Sequence, residues 1–210
     1  MIAALFLLLA VQDPWPSLDR ASKSYDSVRT LSADFIQVID NPMLGEPDTT
    51  RGRLFQRRPN YFAMRFSEPK GDRIVADGRH LWVYTPSSTG EQVIRAAIPG
   101  TGTTGPNLIG QFVERPRERY DARYVRADSL AEGAVDVIVL TPRAGTADDV
   151  PYSEATVWIA KKDGLVRRIE IVETTGQVRT ISLRSIKINR PVAAREFRFS
   201  PPAGLRVVDQ

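Results

Sequence analysis

The chain has 210 residues, of which 42% are hydrophobic and 26% are charged, and this ordinary globular composition indicates one all-β or mixed domain with a single core. Its formal net charge of +4 fits either an anionic partner, such as phospholipid headgroups or an acidic docking surface, or a basic protein without such a partner; the interspersed charges argue against a nucleic-acid-binding arm. The absence of cysteine excludes disulfides, thiolate metal sites and a cysteine nucleophile.

Residues 1–11 form a short apolar run. Its length fits the hydrophobic region of a signal peptide and is too short for a membrane span. We therefore expect residues 1–12 to be a signal peptide, cleaved near Ala10 to Gln12, and residues 13–210 to form a single exported domain. Because no cysteine follows the run to be acylated, we expect the mature chain to be released in soluble form.

An N-terminal helix is predicted over Pro14–Arg29, where apolar residues recur at helical spacing. Tyr25 and Val28 are predicted to face the core. A first strand follows at Leu31–Ile39, and the next stretch, rich in proline and polar residues, is predicted to be a loop.

Four runs with strand composition lie between Gly52 and Tyr84, and the turn residues between them predict an antiparallel meander. The runs are Arg53 to Gln56, Tyr61 to Phe66, Arg73 to Ala76 and Arg79 to Tyr84, with the hairpin signal Asp77-Gly78 before the last.

One face of this meander is strongly apolar. Because side chains alternate along a strand, Phe62, Met64 and Phe66 share a face. Arg58 falls on the same face if the register continues through Pro59. A buried, unpaired guanidinium is very costly, so we expect Arg58 to have a partner there.

A second helical segment is predicted at Asn107–Glu114, where Leu108, Ile109 and Phe112 contribute to one apolar stripe. It follows the glycine-rich residues 99–105, which by composition form a flexible hinge. These residues alone fit either a mobile lid or a fixed connecting helix in the core.

Strands dominate the C-terminal half. They are predicted at Tyr120 to Asp128, Ala134 to Thr141, Glu154 to Lys161, Leu165 to Thr174 and Gln177 to Asn189, and Phe197 to Ser200 and Leu205 to Val208 close the chain. In the run after Gln177 the apolar parity changes, which predicts a β-bulge near Arg184 to Ser185. The predicted fold class is α+β, mainly antiparallel β: an incomplete, half-open β-barrel of about ten to eleven strands, covered by short α-helical lid segments.

Catalytic patterns are absent from the sequence. The single histidine, His80, has no neighbouring serine or cysteine motif, and the G-x-G-x-x-G spacing at residues 100–105 lacks the βαβ context of a nucleotide loop. One histidine without cysteine gives no basis for a metal site beyond oxygen-only ones. We therefore expect no catalytic residues, no cofactor and no metal, and a binding protein rather than an enzyme.

Four pieces of sequence carry a family resemblance. They are LSADFIQ at residues 31–37, RRPNYFAMRF at 57–66, VADGRHLWVY at 75–84 and FRFSPPAGLRVVDQ at 197–210. In these pieces, which occur in the expected order and span nearly all of the mature chain, the protein resembles the outer-membrane lipoprotein carrier protein family, the LolA-like proteins of the periplasm.

The resemblance implies a lid controlled by Arg58. In LolA-like proteins the arginine of the R-P-N run hydrogen-bonds to backbone groups of the lid helices and holds the lid shut when the protein is empty. Lid helices occur in the family where Asn107–Glu114 lies here. The alternative for Arg58 is a surface contact at a strand end. The family's N-terminal helix lies across the barrel mouth, so Tyr25 and Val28 either touch cargo or pack in the core.

The resemblance also implies a cavity for acyl chains. Phe62 matches an aromatic residue of the family's pocket wall, and Met64 stands where many members have a second aromatic residue. Strand and helix parity supplies the other candidates. The candidate cavity residues are Phe35, Phe55, Phe62, Met64, Phe66, Trp82, Tyr84, Leu108, Ile109 and Phe112.

By this resemblance the chain is a periplasmic carrier that binds the acyl chains of lipoproteins and moves them from the inner to the outer membrane. Its expected partners are acylated lipoproteins, an inner-membrane ABC-type lipoprotein exporter and an outer-membrane acceptor lipoprotein, and we expect a monomer that binds no nucleic acid. Two other functions stay open: a periplasmic sensor or regulator that binds a lipid or lipoprotein, and a carrier of glycolipid or another free lipid.

Overall fold

The computed structural model describes residues 12–43, 45–90, 92–98, 107–145 and 150–210. The predicted signal peptide, apart from Gln12, and the predicted glycine hinge lie outside these residues. The helices are α1 (Trp15–Asp26), α2 (Gly110–Val113) and α3 (Pro116–Arg119), and a 3-10 turn spans Ala194–Phe197. The strands are β1 (Thr30–Asp40), β2 (Asp48–Arg57), β3 (Tyr61–Glu68), β4 (Arg73–Asp77), β5 (His80–Tyr84), β6 (Gln92–Ala97), β7 (Tyr120–Leu130), β8 (Gly133–Pro142), β9 (Tyr152–Ala160), β10 (Val166–Glu173), β11 (Val178–Ile188) and β12 (Arg206–Asp209).

The described strands form one twelve-stranded sheet in the order β12-β6-β5-β4-β3-β2-β1-β11-β10-β9-β8-β7. Neighbouring strands are antiparallel except at one edge, where β12 runs parallel to β6. The sheet ends at β12 and β7 and is therefore open, which confirms the prediction of a mainly antiparallel, unclosed sheet with few helices. It has twelve strands rather than ten to eleven, and the predicted extended run at Phe197 to Ser200 is instead the end of the 3-10 turn and the coil after it.

The sheet has an inner face covered by helices and an outer face crossed by the C-terminal segment. On the inner face, Leu18 and Tyr25 of α1 are almost fully buried in the main core. On the outer face, Phe55 and Val75 form a smaller core beneath Phe197 of the 3-10 turn. The two faces therefore bury separate sets of side chains.

The predicted bulge is present in β11. Ser185 and Ile186 together lie opposite a single residue of β1, Ala33, and Ser185 has a φ of 52°, in the left-handed region. This extra residue allows Leu183 and Ile188, which have different parity, both to pack against the main core.

A buried carboxylate fixes α1 to the sheet. Asp136 of β8 has a side chain only 6% exposed; its Oδ2 lies 2.6 Å from Ser17 Oγ and 2.9 Å from Arg20 Nη2, and its Oδ1 lies 3.2 Å from Lys161 Nζ. Burial alone would raise the pKa of Asp136, but hydrogen bonds from Ser17, Lys161 and Arg20 outweigh burial and lower the pKa below its ordinary value. The position of α1, and of Tyr25 near its end, is thereby set.

Candidate functional site

A cavity of about 360 Å³ lies between the inner face of the sheet and the segment that leads into α2. This volume is at the low end of the range for small-molecule sites, about 300–1,000 Å³. Its apolar lining residues are Phe62, Met64, Ile74, Leu81, Leu108, Pro151, Tyr152, Ile171 and Ile181, and its polar lining residues are Gln37, Asn107, Gln111, Glu173 and Arg179.

The alternation of side chains along the strands explains which residues form the wall of the cavity. Phe62 and Met64 of β3 both point to the inner face, and Ile74 of β4 pairs with Met64 in the sheet. Leu108 approaches from the opposite side, from the segment before α2. The structure thus places three of the predicted cavity residues, Phe62, Met64 and Leu108, in the wall of this cavity.

Four other predicted cavity residues lie on the inner side but are not among the lining residues. Phe35 and Phe66 pack edge to face with ring centroids 5.2 Å apart. Ile109 and Phe112 are fully buried in the main core, so they attach the α2 segment to the sheet. Their observed role is packing.

The predictions for Phe55, Trp82 and Tyr84 are wrong as to face. Phe55 belongs to the outer-face core, and Trp82 and Tyr84 pack against Phe199 of the C-terminal segment, with ring centroids 5.7 and 5.8 Å away. The physical reason is alternation: Leu81 and Val83 of β5 pair with inner-facing residues of β4, so Trp82 and Tyr84, which have the opposite parity, point outward.

Arg58 lies on the inner side of the sheet, as its parity predicts, and it links two helical segments. Its Nη2 donates to the backbone carbonyl of Tyr25 in α1 at 3.1 Å and to Glu114 Oε1, just after α2, at 2.6 Å. Its guanidinium also lies over the Tyr25 ring, 5.0 Å from the centroid. The side chains of Arg58 and Glu114 are 33% and 38% exposed, so this pair lies at the edge of the site rather than in the core.

A buried polar network lies beside Arg58. The Tyr25 hydroxyl donates to Gln56 Oε1 at 2.7 Å and lies 2.9 Å from Asn107 Oδ1. Asn107 Oδ1 accepts from Gln56 Nε2 at 2.8 Å, and Asn107 Nδ2 donates to Glu114 Oε1 at 3.2 Å. Burial raises the pKa of Tyr25 far above its ordinary value, so the hydroxyl keeps its proton. The network joins α1, β2 and the α2 segment.

Gly110 gives Asn107 its place in this network. The Asn107 side chain folds over Gly110, whose N–H donates to Asn107 Oδ1 at 2.9 Å. A Cβ at position 110 would lie 1.9 Å from Asn107 Nδ2, a distance that no side chain tolerates. Only glycine therefore lets Asn107 adopt this position.

The other side of α2 is tied to the strands. The carbonyl of Gln111 accepts hydrogen bonds from Arg119 Nη1 at 2.6 Å and from the Tyr120 hydroxyl at 2.9 Å. The Tyr120 and Tyr152 hydroxyls are 2.7 Å apart, and the Phe112 ring packs against both tyrosine rings. One side of the α2 segment is thus attached to Arg119, Tyr120 and Tyr152, and the other side is held by the polar network of Asn107.

Sequence reasoning missed most of the polar site. Gln56, Asn107, Glu114 and the cavity residues of β9 to β11 were not candidates, because their meeting depends on sheet order and register. The signals that could have indicated them were a polar residue, Gln56, at an inner-facing position of β2, and Gly110 within the predicted helical stripe.

The described part of the chain offers little else for chemistry. Within it, no group of three or more histidine, aspartate or glutamate side chains is arranged to hold a metal ion. Among the described helices, none has the length and apolar character needed to cross a membrane. A mainly apolar cavity with polar groups at its ends is suited to binding an apolar or amphiphilic molecule.

Comparisons with known proteins agree with this geometry. The family model of outer membrane lipoprotein carrier protein LolA matches residues 26–200. An outer-membrane lipoprotein carrier protein of Actinobacillus succinogenes is 27% identical over 207 residues, which cover 97% of this chain and 92% of that protein.

Two solved structures share the fold. An uncharacterized conserved protein from Thermus thermophilus superposes with a TM-score of 0.57 at 15% identity, covering 95% of this chain and 100% of that one. The Mycobacterium tuberculosis lipoprotein LppX gives a TM-score of 0.53 at 13% identity, covering 87% and 100%. At these identities the likeness concerns the fold alone.

Proposed function

Because the chain belongs to the LolA family of outer membrane lipoprotein carrier proteins, we propose that it carries the acyl chains of lipoproteins through the periplasm, from the inner to the outer membrane. The observation that carries this proposal is the mainly apolar cavity on the inner face of the open sheet, beneath the α2 segment. It suits binding rather than catalysis. Export rests on the signal-like sequence of residues 1–12.

The energetics of acyl burial favour direct transfer between proteins. Each buried methylene contributes about 0.8 kcal/mol, so an acyl chain of about fifteen carbons gains on the order of 10 kcal/mol by leaving water. Release into water is therefore too slow to be useful, and cargo passes from cavity to cavity. We propose an inner-membrane ABC-type exporter as the donor and an outer-membrane lipoprotein as the acceptor.

We propose Arg58 as the residue that controls the lid. Its hydrogen bonds tie Glu114, at the end of α2, to α1. Because the Arg58–Glu114 pair is about one-third exposed on both sides, it contributes only about 0–1 kcal/mol. A contact of this size, together with the Asn107 network, biases the segment towards the closed position, and cargo that binds the open form better can displace it.

An Arg58→Leu variant tests this mechanism. The purified protein is loaded with a fluorescent diacylated lipopeptide and then mixed with outer-membrane vesicles that contain the acceptor. We expect the variant to load normally and to fail in hand-over. Release of cargo returns the protein to the closed, empty form, and without the Arg58–Glu114 contact that form is less stable.

Arg57→Leu is the matched control. Arg57 is the preceding residue, but its guanidinium lies on the outer face, 4.1 Å from the centroid of the Tyr61 ring, so its loss should leave both steps intact. Normal hand-over by Arg58→Leu would remove Arg58 from the mechanism, and failure of the unmodified protein to load would reject the carrier function.

A further inference from the structure

The inner face of the sheet changes from apolar to polar towards one end of the cavity. Along three neighbouring strands the inner-facing residues are Leu31, Ala33, Phe35 and Gln37 in β1, Leu183, Ile181 and Arg179 in β11, and Ile169, Ile171 and Glu173 in β10. Each series is given from its apolar end to its polar end. Because β11 is antiparallel to β1 and β10, its residue numbers fall while theirs rise, and the three polar ends lie at the same end of the sheet. Gln37, Glu173 and Arg179, the polar end, all line the cavity.

The polar end has unused hydrogen-bonding capacity. Gln37 is only 6% exposed, and its amide nitrogen donates to Thr50 Oγ1 at 3.2 Å, but within the described residues nothing donates to its Oε1. Arg179 Nη2 donates to Glu173 Oε1 at 2.9 Å, while the buried Arg179 Nε has no hydrogen-bond partner in the described part of the chain. Buried polar groups in folded proteins are generally hydrogen-bonded, so Arg179 Nε and Gln37 Oε1, in the lining of the cavity, are available to bond a ligand.

Most polar atoms at the opposite end are already hydrogen-bonded, although the buried Arg58 Nε beside Glu114 has no partner in the described part of the chain. Asn107 Oδ1 accepts from Gln56 Nε2 and from the N–H of Gly110, and Asn107 Nδ2 donates to Glu114. Gln111 Nε2 donates to the carbonyl of Leu108 at 3.2 Å. A ligand headgroup would have to break this network to bind beneath α2.

The length of the cavity fits an acyl chain between the two ends. Phe62 pairs with Gln56, and Gln56 pairs with Leu31, so Phe62 lies near the level of Leu31. Gln37 is six residues farther along β1, which corresponds to about 20 Å at the usual rise of a strand. One leaflet of a bilayer core, and hence one acyl chain, measures about 15 Å.

We propose that Gln37, Glu173 and Arg179 form a headgroup subsite that fixes the direction of the bound amphiphile. Ester or amide carbonyls beside the acyl chain accept hydrogen bonds from Arg179, and hydroxyl or N–H groups of the headgroup donate to Gln37 Oε1 and Glu173. The acyl chain then runs towards Phe62 and Leu108, beneath α2. The subsite rests on the proposed function and defines its ligand class as acylglycerol-type amphiphiles.

Photocrosslinking tests the direction. The full mature chain is incubated with two forms of a synthetic diacylated lipopeptide, one with a diazirine at the end of an acyl chain and one with a diazirine next to the ester. We expect the first form to label peptides containing Phe62, Met64 or Leu108, and the second to label peptides containing Gln37 or Arg179. The reverse pattern would overturn the subsite while leaving the cavity as an acyl site, and absence of labelling in the cavity would reject the proposed function as well.

Two variants test the recognition itself. Arg179→Met and Gln37→Leu should each weaken binding of the lipopeptide roughly tenfold and leave binding of a headgroup-free hydrocarbon dye unchanged. The control is Arg184→Met, on the exposed outer side of β11. Unchanged lipopeptide affinity in both variants would overturn the subsite.

Competition with phosphatidylglycerol and with a glycolipid then distinguishes the sources of the headgroup. A preference of the protein for the lipopeptide supports the proposed cargo, and equal competition by either lipid contradicts it.

Discussion

At the scale of single residues, two adjacent arginines show what alternation can and cannot predict. Arg57 stacks on Tyr61 on the outer face, whereas Arg58 lies on the inner side, as its parity with Phe62 predicts. The ionic partner of Arg58, Glu114, comes from a segment 56 residues later, and no local pattern could identify it. For Arg58, parity with Phe62 was sufficient to predict the face, but the partner depends on the tertiary fold.

We predict that Asp136→Asn lowers the free energy of unfolding by about 1–3 kcal/mol, because a buried carboxylate with four partners, Ser17, Arg20, Lys161 and Tyr124, becomes neutral. Urea denaturation measures this change. Asp19→Asn is the control: its ion pair with Arg117 is more than half exposed on both sides, so we expect a change within about 0.5 kcal/mol. Equal effects of the two variants would contradict a specific role for Asp136.

The same residue predicts a pH dependence. Since the pKa of Asp136 is lowered by folding, its ionisation stabilises the folded state fully above its ordinary pKa of 3.8. This stabilisation is lost as the pH falls through the lower, folded-state pKa. The stability difference between the unmodified protein and Asp136→Asn should therefore shrink below pH 3.8, and a difference that stays constant at lower pH would contradict the assignment.

At the scale of elements, the sequence predicted which turns, bulges and strands exist better than it predicted which face of a strand points inward. The Asp77-Gly78 hairpin and the bulge at Ser185 were predictable, because turn residues and a change of apolar parity are local signals. Which residues of β5 point inward could not be predicted. A strand with apolar residues on both faces has no preferred inner face until a second layer covers one of them. Here the C-terminal segment covers Trp82 on the outer face. An aromatic residue that is buried on the outer face has the same sequence signal as one in a cavity wall, so Trp82 was predicted on the wrong side.

The α2 segment allows a test by double-mutant cycle. Gly110→Ala should lower the free energy of unfolding by about 1–3 kcal/mol, because the new Cβ collides with Asn107. In an Asn107→Ala background the collision is absent, so the same substitution should cost much less. Urea denaturation of the four proteins gives the coupling energy. Additive effects would show that Asn107 and Gly110 do not act together.

At the scale of the whole molecule, the open sheet creates the cavity. The order of the strands brings β3, β4 and β5 to face β9, β10 and β11 across the inner side, so residues far apart in sequence share one apolar wall. Composition and turn spacing were sufficient to predict the fold class. They were not sufficient to predict Ile171, Ile181 or Tyr152 as lining residues, because those positions follow from the curvature of the sheet.

We predict that filling this cavity blocks loading. Ile171→Trp adds bulk to the wall and should weaken binding of a fluorescent fatty-acyl probe about tenfold, equivalent to excluding about two methylenes from the cavity. The matched control is Val172→Trp, because the next residue along β10 points to the other face. Titration of the probe into both variants measures the difference, and equal affinities would show that acyl chains bind elsewhere.

The identity of the cargo is the most direct test of the carrier function. The mature protein is purified from the periplasm of a Gram-negative host, and the molecules bound to it are extracted and identified by mass spectrometry. An acylated lipopeptide or an intact lipoprotein in the extract is the predicted result. An extract that holds only phospholipid, glycolipid or no lipid would contradict lipoprotein carriage and leave a lipid-binding or regulatory protein with the same open sheet.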